Sequence, residues 1–413
     1  MDIRLKMREG FRGLQGGLFG KVEKADVGGA AEEVQRAGGD MLGWADPFMP
    51  DDCMPAAVKA IAIDRIEKGL SAHYTHPVGD AELKAAIARK LARQNGLSVV
   101  PERNILITPG SDSGLLFAMM PFIEPGDEVL VPDPSYPSNF LNPKLLGGRA
   151  VSVLLDEANG FRLTRAALEA ALSPRTKMVL LTNPNNPTTT VFSREEMTML
   201  AEFVIEHDLV AVVDQAFEDF LFDGREMVTL AALSGMWERT VTVCSVSKGM
   251  ALSGVRVGYL VADDHIMDVL YGCAVNVIGA TNSTFQAAVA YAMDHPEFMT
   301  EGYYPIFEER RRRVHEILSG IPGVKTQLPQ SAFLTWVDVS ALGTAGEVAS
   351  YLMREAKVCV NEGGPYGRQG AGHIRIVHGC FQDSQRIYRA MERVRAALAG
   401  AGGMVPLGKT LVL

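Results

Sequence analysis

At 413 residues the chain exceeds one ordinary hydrophobic core, so two domains are expected. Its 47% apolar and 22% charged content is ordinary for a globular protein, and no apolar run reaches the length of a membrane span. A net charge of −9 without a concentrated basic face excludes a nucleic-acid footprint. The five cysteines (Cys53, Cys244, Cys273, Cys359 and Cys380) are scattered and never in CxxC spacing, so neither a disulfide framework nor a zinc site is indicated. The opening MDIRLKMREGFRGLQGG lacks the apolar core of a secretory signal, and a reducing cytoplasm is the expected location.

In chain order, apolar runs at residues 104–108, 128–131, 177–181, 210–213 and 240–243 predict short buried strands, and residues 193–207 predict a helix. Such strands separated by helices indicate a parallel sheet covered on both faces, with ligands gathered at the carboxyl ends of its strands. After residue 297 the pattern changes. A charged helix at 304–318 precedes a strand at 333–339, a helix from Ala345, and strands at 358–360 and 373–377. The expected fold is α/β: a large domain with a mostly parallel sheet between helices, plus a smaller α+β domain. Residues 1–55 are assigned to an N-terminal arm and part of the small domain, 56–297 to the large domain and 298–413 to the small one. Arg310, Arg311, Arg312 and Arg313 read as the solvated face of an amphipathic helix. The closing GAGGMVPLGKTLVL reads either as a frayed tail or as a segment that docks on a neighbour.

The chemically suggestive residues fall after these strands. Lys248 lies in SVSKGMALSGVRVGY, with Ser245 and Ser247 before it and Arg256 eight residues after it. A deprotonated lysine amine bonds to an aldehyde, while small hydroxyls and an arginine fork suit a phosphate dianion. That equipment holds pyridoxal 5'-phosphate; a surface lysine in a Ser/Gly loop is the plainer reading. Asp214 closes a strand, where a carboxylate either pairs with a protonated pyridine nitrogen or caps a helix. Asn186, in NPNNPT, either donates to a phenolate oxygen or serves a turn. If a helix starts at Ser111 and Asp112, their free N–H groups form an anion site, and a simple cap is the alternative. Tyr136, in PDPSYP, either stacks on an aromatic ring or packs in a loop. Arg375 lies between Ile374 and Ile376 and needs a partner, either a substrate carboxylate or a structural salt bridge.

Taken jointly, Tyr74 and Gly79, Gly110, Tyr136, NPNNP, Asp214, SxSK, Gly254-x-Arg256-x-Gly258 and Arg375 resemble a fold-type I pyridoxal-phosphate enzyme of the aminotransferase class I/II family. The likeness runs from about Gly43 to Val377. It implies that Lys248 is the Schiff-base lysine and shuttles the proton between the substrate Cα and the cofactor C4′. It implies Asp214 as the pyridinium partner, Asn186 as donor to the ring oxygen and Tyr136 as the stacking ring. Ser245, Arg256 and the amides of Ser111 and Asp112 correspond to phosphate ligands. Arg375 corresponds to the α-carboxylate clamp, with Asn186 and Trp44 on the substrate side. Tyr74, in HYTHPVG, corresponds to a tyrosine that crosses to the phosphate of the partner subunit, implying a homodimer with shared active sites. The implied activity moves an amino group between an L-amino acid and a 2-oxo acid. Decarboxylation, elimination or oxidation of an amino acid with the same cofactor is the alternative. A ligand-sensing regulator would need a DNA-binding segment, and neither terminus has that pattern.

Departures from the family pattern gather on the substrate side. Where the family has Asp-Glu-x-Tyr, this chain has Asp214-Gln-Ala-Phe217, and Phe217 has no hydroxyl to donate. The cofactor-bonded Lys248 nitrogen is therefore expected to stay protonated to higher pH than in a typical aminotransferase. NPTG becomes Asn186-Pro-Thr-Thr189, which is expected to alter the turn locally. Asn361-Glu-Gly363, Pro329-Gln-Ser331 and Trp44-Ala-Asp46 also differ. Trp44, Phe217 and Met250 read either as an apolar substrate pocket or as core, and Asp46 and Glu362 as recruits for a cationic side chain.

Overall fold

The computed structural model describes residues 38–401, together with the paired strands Phe19–Gly20 and Glu23–Lys24. The opening segment read for a secretory signal and the apolar C-terminal tail lie outside the described residues. Seven strands form the large sheet: β1 (Ile105–Thr108), β2 (Glu128–Asp133), β3 (Arg149–Leu154), β4 (Thr176–Thr182), β5 (Val210–Asp214), β6 (Thr240–Ser245) and β7 (Gly258–Val261). Their order is β1-β7-β6-β5-β4-β2-β3; β7 runs antiparallel to β1 and β6, and the other pairings are parallel. Five strands fall where apolar runs predict them. β3 was not predicted because it is an edge strand with Val153 its one buried residue, so it shows no continuous apolar run. β7, which begins on a glycine, was likewise not predicted.

Alternate residues of the central strands feed two separate cores, which is why these strands are apolar at nearly every position. Val129, Met178, Leu180 and Val212 pack with the helices Ser111–Met119 and Asp264–Val277. Leu130, Val179, Leu181, Ala211 and Val213 pack on the opposite face with the helix Arg194–Glu206. That helix starts on a reciprocal capping box between Ser193 and Glu196.

The second sheet comprises β8 (Lys325–Thr326), β9 (Leu334–Asp338), β10 (Asn361–Glu362) and β11 (His373–Val377), in the order β8-β9-β11-β10 and antiparallel throughout. Leu334, Ile374 and Ile376 pack against the helices Tyr304–Ser319, Ala345–Glu355 and Ser384–Ala401. Asp40–Met41 pairs with Val358–Cys359, so the segment leading to Trp44 runs with this smaller unit.

The arginine cluster corrects the expectation of a solvated face. Arg312 and Arg313 are exposed, but Arg310 and Arg311 are 0% exposed. The Arg310 guanidinium donates to the carbonyls of His378 (3.1 Å), Cys380 (2.8 Å), Phe381 (2.9 Å) and Gln382 (2.9 Å), and to Ser384 Oγ (2.9 Å). Arg311 pairs with Asp223 and donates to Pro329 O at 2.8 Å. A guanidinium can be buried when its fork is filled this fully, and here it ties the helix to the chain leaving β11. Replacing Arg310 by Met strands the three buried carbonyls of His378, Cys380 and Phe381 and is expected to cost about 3–5 kcal/mol in urea denaturation, whereas Arg312→Ala should stay within about 0.5 kcal/mol.

Candidate active site

The carboxyl ends of the parallel strands converge on one cleft. Trp44, Ser111, Asp112, Tyr136, Asn186, Asp214, Lys248 and Arg375 all line it. These side chains come from loops far apart in the chain, and the sheet brings them together because each follows a strand or lies on the smaller unit facing those strand ends.

Asp214 ends β5 and is buried, with Oδ1 accepting from Ala216 N at 3.0 Å. Burial pushes its carboxyl up to about 7; the Ala216 N–H and Lys248 oppose the rise, and the nearby charges of Asp112 and Glu218 add to it. No helix follows, so the alternative of a helix cap does not hold; the residues after it form a turn. Lys248 Nζ donates to the carbonyl of Ala45. Asn186 Oδ1 accepts from Arg375 Nη1 at 3.1 Å, so its amide nitrogen is the group left to act as a donor in the cleft.

Arg375 is buried in β11, and its guanidinium donates to Asn361 Oδ1 (2.8 and 3.0 Å) and Gly43 O (3.1 Å). It also lies over the ring of Tyr366, 5.1 Å from the centroid. Ser245 and Arg256 are not among the residues lining the cleft. Ser245 ends β6 and accepts from Ser247 N at 3.1 Å. Arg256 packs on Gly110, where a Cβ would stand 2.3 Å from its Nη2, and so lies at the start of the helix Ser111–Met119. Gly110 caps that helix without a side chain, which leaves its first-turn N–H groups for an anion. Gly258 of β7 passes directly beneath; a Cβ there would lie 2.7 Å from Ser111 N.

Tyr74 is 94% exposed and is not among the residues lining the cleft. Phe217 lines the cleft and packs edge-on against Phe333 at 5.5 Å. Met250 belongs to a core cluster, the second of its two readings, and Asp46 and Glu362 are not among the residues lining the cleft. Thr189 is accommodated in the left-handed region at φ 63°, a strained conformation for a β-branched residue. Its N–H donates to Asn185 O at 2.9 Å and its carbonyl accepts from Ser331 Oγ at 2.8 Å. Sequence reasoning missed Ala45 and Asn361 as partners. Asn361 stands directly opposite Arg375 in the β10–β11 register, a polar residue facing a mid-strand charge, and that pairing was the available signal.

A family model described as aminotransferase class I and II matches residues 39–394. The chain belongs to this family. It is 32% identical to aromatic-amino-acid aminotransferase 2 of Thermococcus litoralis, over 84% of this chain and 90% of that protein. It is 29% identical to the aspartate aminotransferase of Musicola paradisiaca, over 84% and 87%. Among solved structures, the aromatic aminotransferase from Pyrococcus horikoshii superposes with a TM-score of 0.83 at 29% identity, covering 89% of this chain and 98% of that one. The aspartate aminotransferase from Thermus thermophilus with maleate gives 0.83 at 28% identity, covering 90% and 95%. The protein is thus an aminotransferase with the expected α/β fold, and no helix among the described residues is long and apolar enough to cross a membrane.

The Asp214 carboxyl holds its proton to higher pH in the folded chain, at about 7, than its ordinary value of 3.8 allows in the unfolded one. Stability from this group is therefore complete below 3.8 and is lost as pH rises through about 7. In cofactor-free protein, the stability of the wild type relative to Asp214→Asn should rise as pH is lowered from 8 to 5, approaching about 1.4 kcal/mol per pH unit below 7. Urea denaturation at both pH values reads this, and a pH-independent gap would contradict it.

Proposed function

We propose that this aminotransferase works with pyridoxal 5'-phosphate carried on Lys248, and exchanges an amino group between an L-amino acid and a 2-oxo acid. The observation that carries the reading is the convergence of Lys248, Asp214 and Arg375 on one cleft. The residues present fit the cofactor. Asp214 is a buried carboxylate suited to a protonated ring nitrogen. The bare helix start at Ser111 and Asp112, with Arg256 and Ser245 beside it, is a cradle for a phosphate. Tyr136 is available to stack on the ring, and the Asn186 amide to donate to its oxygen.

When bound, the cofactor supplies an aldehyde that bonds reversibly to amines and a pyridinium ring that accepts the electron pair released at Cα. The protein's own groups do the rest. Arg375 fixes the substrate carboxylate, and Asn186 and Asn361 hold the guanidinium fork in place. As a free amine, Lys248 would take the proton from the substrate Cα and pass it to the cofactor's aldehyde carbon, and would carry a proton the opposite way when the 2-oxo acid is aminated. Asp214, whose carboxyl burial raises, would hold a protonated ring nitrogen and would itself be held in its charged form by that cation. Trp44, Leu115 and Phe217 line the rest of the cleft and support an apolar or aromatic substrate side chain.

Tyr74 is fully presented to solvent beside the exposed apolar Ile63, Ile66 and Leu70, which supports a homodimer in which Tyr74 completes the phosphate site of the partner. The five cysteines are free thiols, which supports a cytoplasmic location.

Three experiments test the reading. Mixing holoenzyme with each amino acid in turn should yield a 2-oxo acid with stoichiometric amine transfer, and Lys248→Ala should lose at least about 10³-fold in rate. Carbon dioxide or peroxide as the dominant product would replace transamination by the alternative chemistry. Inactive Lys248→Ala and Tyr74→Ala subunits, mixed and re-equilibrated, should regain up to about one quarter of wild-type activity, because one site of each hybrid dimer is intact; no recovery would argue against shared sites. Finally, Phe217→Tyr should lower the pH at which the visible band of the loaded protein shifts, since a phenol would hydrogen-bond the ring oxygen and weaken its hold on the Lys248 proton.

A further inference from the structure

The loop at residues 363–370 leaves the small sheet between β10 and β11, yet it is fastened to the large sheet by polar contacts that the roles above do not use. Asp133, the last residue of β2, is 0% exposed and accepts from the backbone N–H groups of Arg368 (2.9 Å) and Gln369 (3.0 Å). The Gln369 amide forms a reciprocal pair with Leu155, accepting from its N–H at 3.0 Å and donating to its carbonyl at 2.9 Å. Ser135 N donates to Tyr366 O at 2.8 Å. Gly367 makes the approach possible: its φ is 122°, and a Cβ would stand 2.3 Å from Asp133 Oδ1. Held in this way, the buried Tyr366 presents its ring to the Arg375 guanidinium at 5.1 Å and meets Trp336 edge-on at 5.7 Å. The same carboxylate stands three residues before Tyr136.

We propose that Asp133 is a positioning residue for the Arg375 clamp. It pins the loop so that the Tyr366 ring supports the guanidinium in the orientation that receives a substrate carboxylate. A buried carboxylate accepting two N–H groups is a strong and directional anchor. An amide in its place offers one acceptor oxygen and turns an NH₂ toward a backbone donor, so the loop would shift. The proposal rests on Arg375 acting as the clamp, and the test separates the two.

Full-length holoenzyme is titrated calorimetrically with 3-phenylpropionate, a carboxylate with no amine to react. Arg375→Ala should abolish binding. Asp133→Asn should weaken it about tenfold and Gln369→Ala about threefold, because small displacements of a positioning group have large effects. Binding stoichiometry, and the label left on Lys248 by borohydride reduction, should match the wild type. If Arg375→Ala binds like the wild type, the clamp reading fails and the proposal with it. If Arg375→Ala abolishes binding while Asp133→Asn and Gln369→Ala bind within about twofold of wild type, the proposal alone is overturned. A reduced stoichiometry with unchanged affinity in either variant marks a structural role and also overturns it. Gln369 is half-buried, so its variant decides the matter should Asp133→Asn fail to fold.

Discussion

The site depends on a carboxylate placed where burial opposes its charge. Asp214 ends a central strand of a parallel sheet, shielded from water, with the Ala216 N–H donating to it. Its carboxyl is consequently raised to about 7, and the nearby Asp112 pushes in the same direction. A position that raises an acid in this way gains most from a cation that arrives in the cleft and hydrogen-bonds to it. Under the proposed reading the rest of the cleft answers that requirement: Asp214 would hold a ring nitrogen, Lys248 an aldehyde, and the helix start by Ser111 a phosphate. The sheet can satisfy all three because neighbouring strands end at one edge, about 5 Å apart.

The antiparallel β7 adjusts this plan locally. By pairing with both β1 and β6, it closes the gap between the strand that leads to Ser111 and the strand that leads to Lys248. Gly258 lets the helix start sit against it, and the turn before it carries Arg256 into contact with Gly110. The proposed phosphate cradle thus draws on two strands that run in opposite directions and on a helix start that has no side-chain cap.

Much of this was legible in the sequence. Apolar runs locate the central strands because both faces of the sheet are buried, and the residues after them line the cleft because strands of a parallel sheet end together. Illegible features share a cause: they depend on backbone atoms or on partners distant in the chain. The Ala45 carbonyl that takes the Lys248 proton donor has no side-chain signature. Arg310 looks like a surface charge until the carbonyls of residues 378–382 are folded around it. Arg375 was recognisable as a mid-strand charge, but its Asn361 partner required the strand register. Asp133 gave no signal, since the N–H groups that it accepts belong to residues more than 230 positions away.

The departures from the family pattern form a connected set in the folded chain. Ser331 donates to the carbonyl of Thr189, and its neighbour Gln330 accepts from Val191 N at 3.0 Å, so two altered segments brace each other across the two sheets. Phe217 meets Phe333, two residues beyond Ser331, through an edge-to-face contact. Where a tyrosine would make a polar link at the ring oxygen, this chain has an aromatic packing contact, and hydrogen-bonding capacity is concentrated instead on the Asn186–Arg375–Asn361 array. One consequence is electrostatic: with no phenol at residue 217, Asn186 is the side chain the proposed reading assigns to the ring oxygen, and its Oδ1 also accepts from Arg375. If Arg375 takes the substrate carboxylate as proposed, that capture would bear on the same amide and couple the two roles through a single residue.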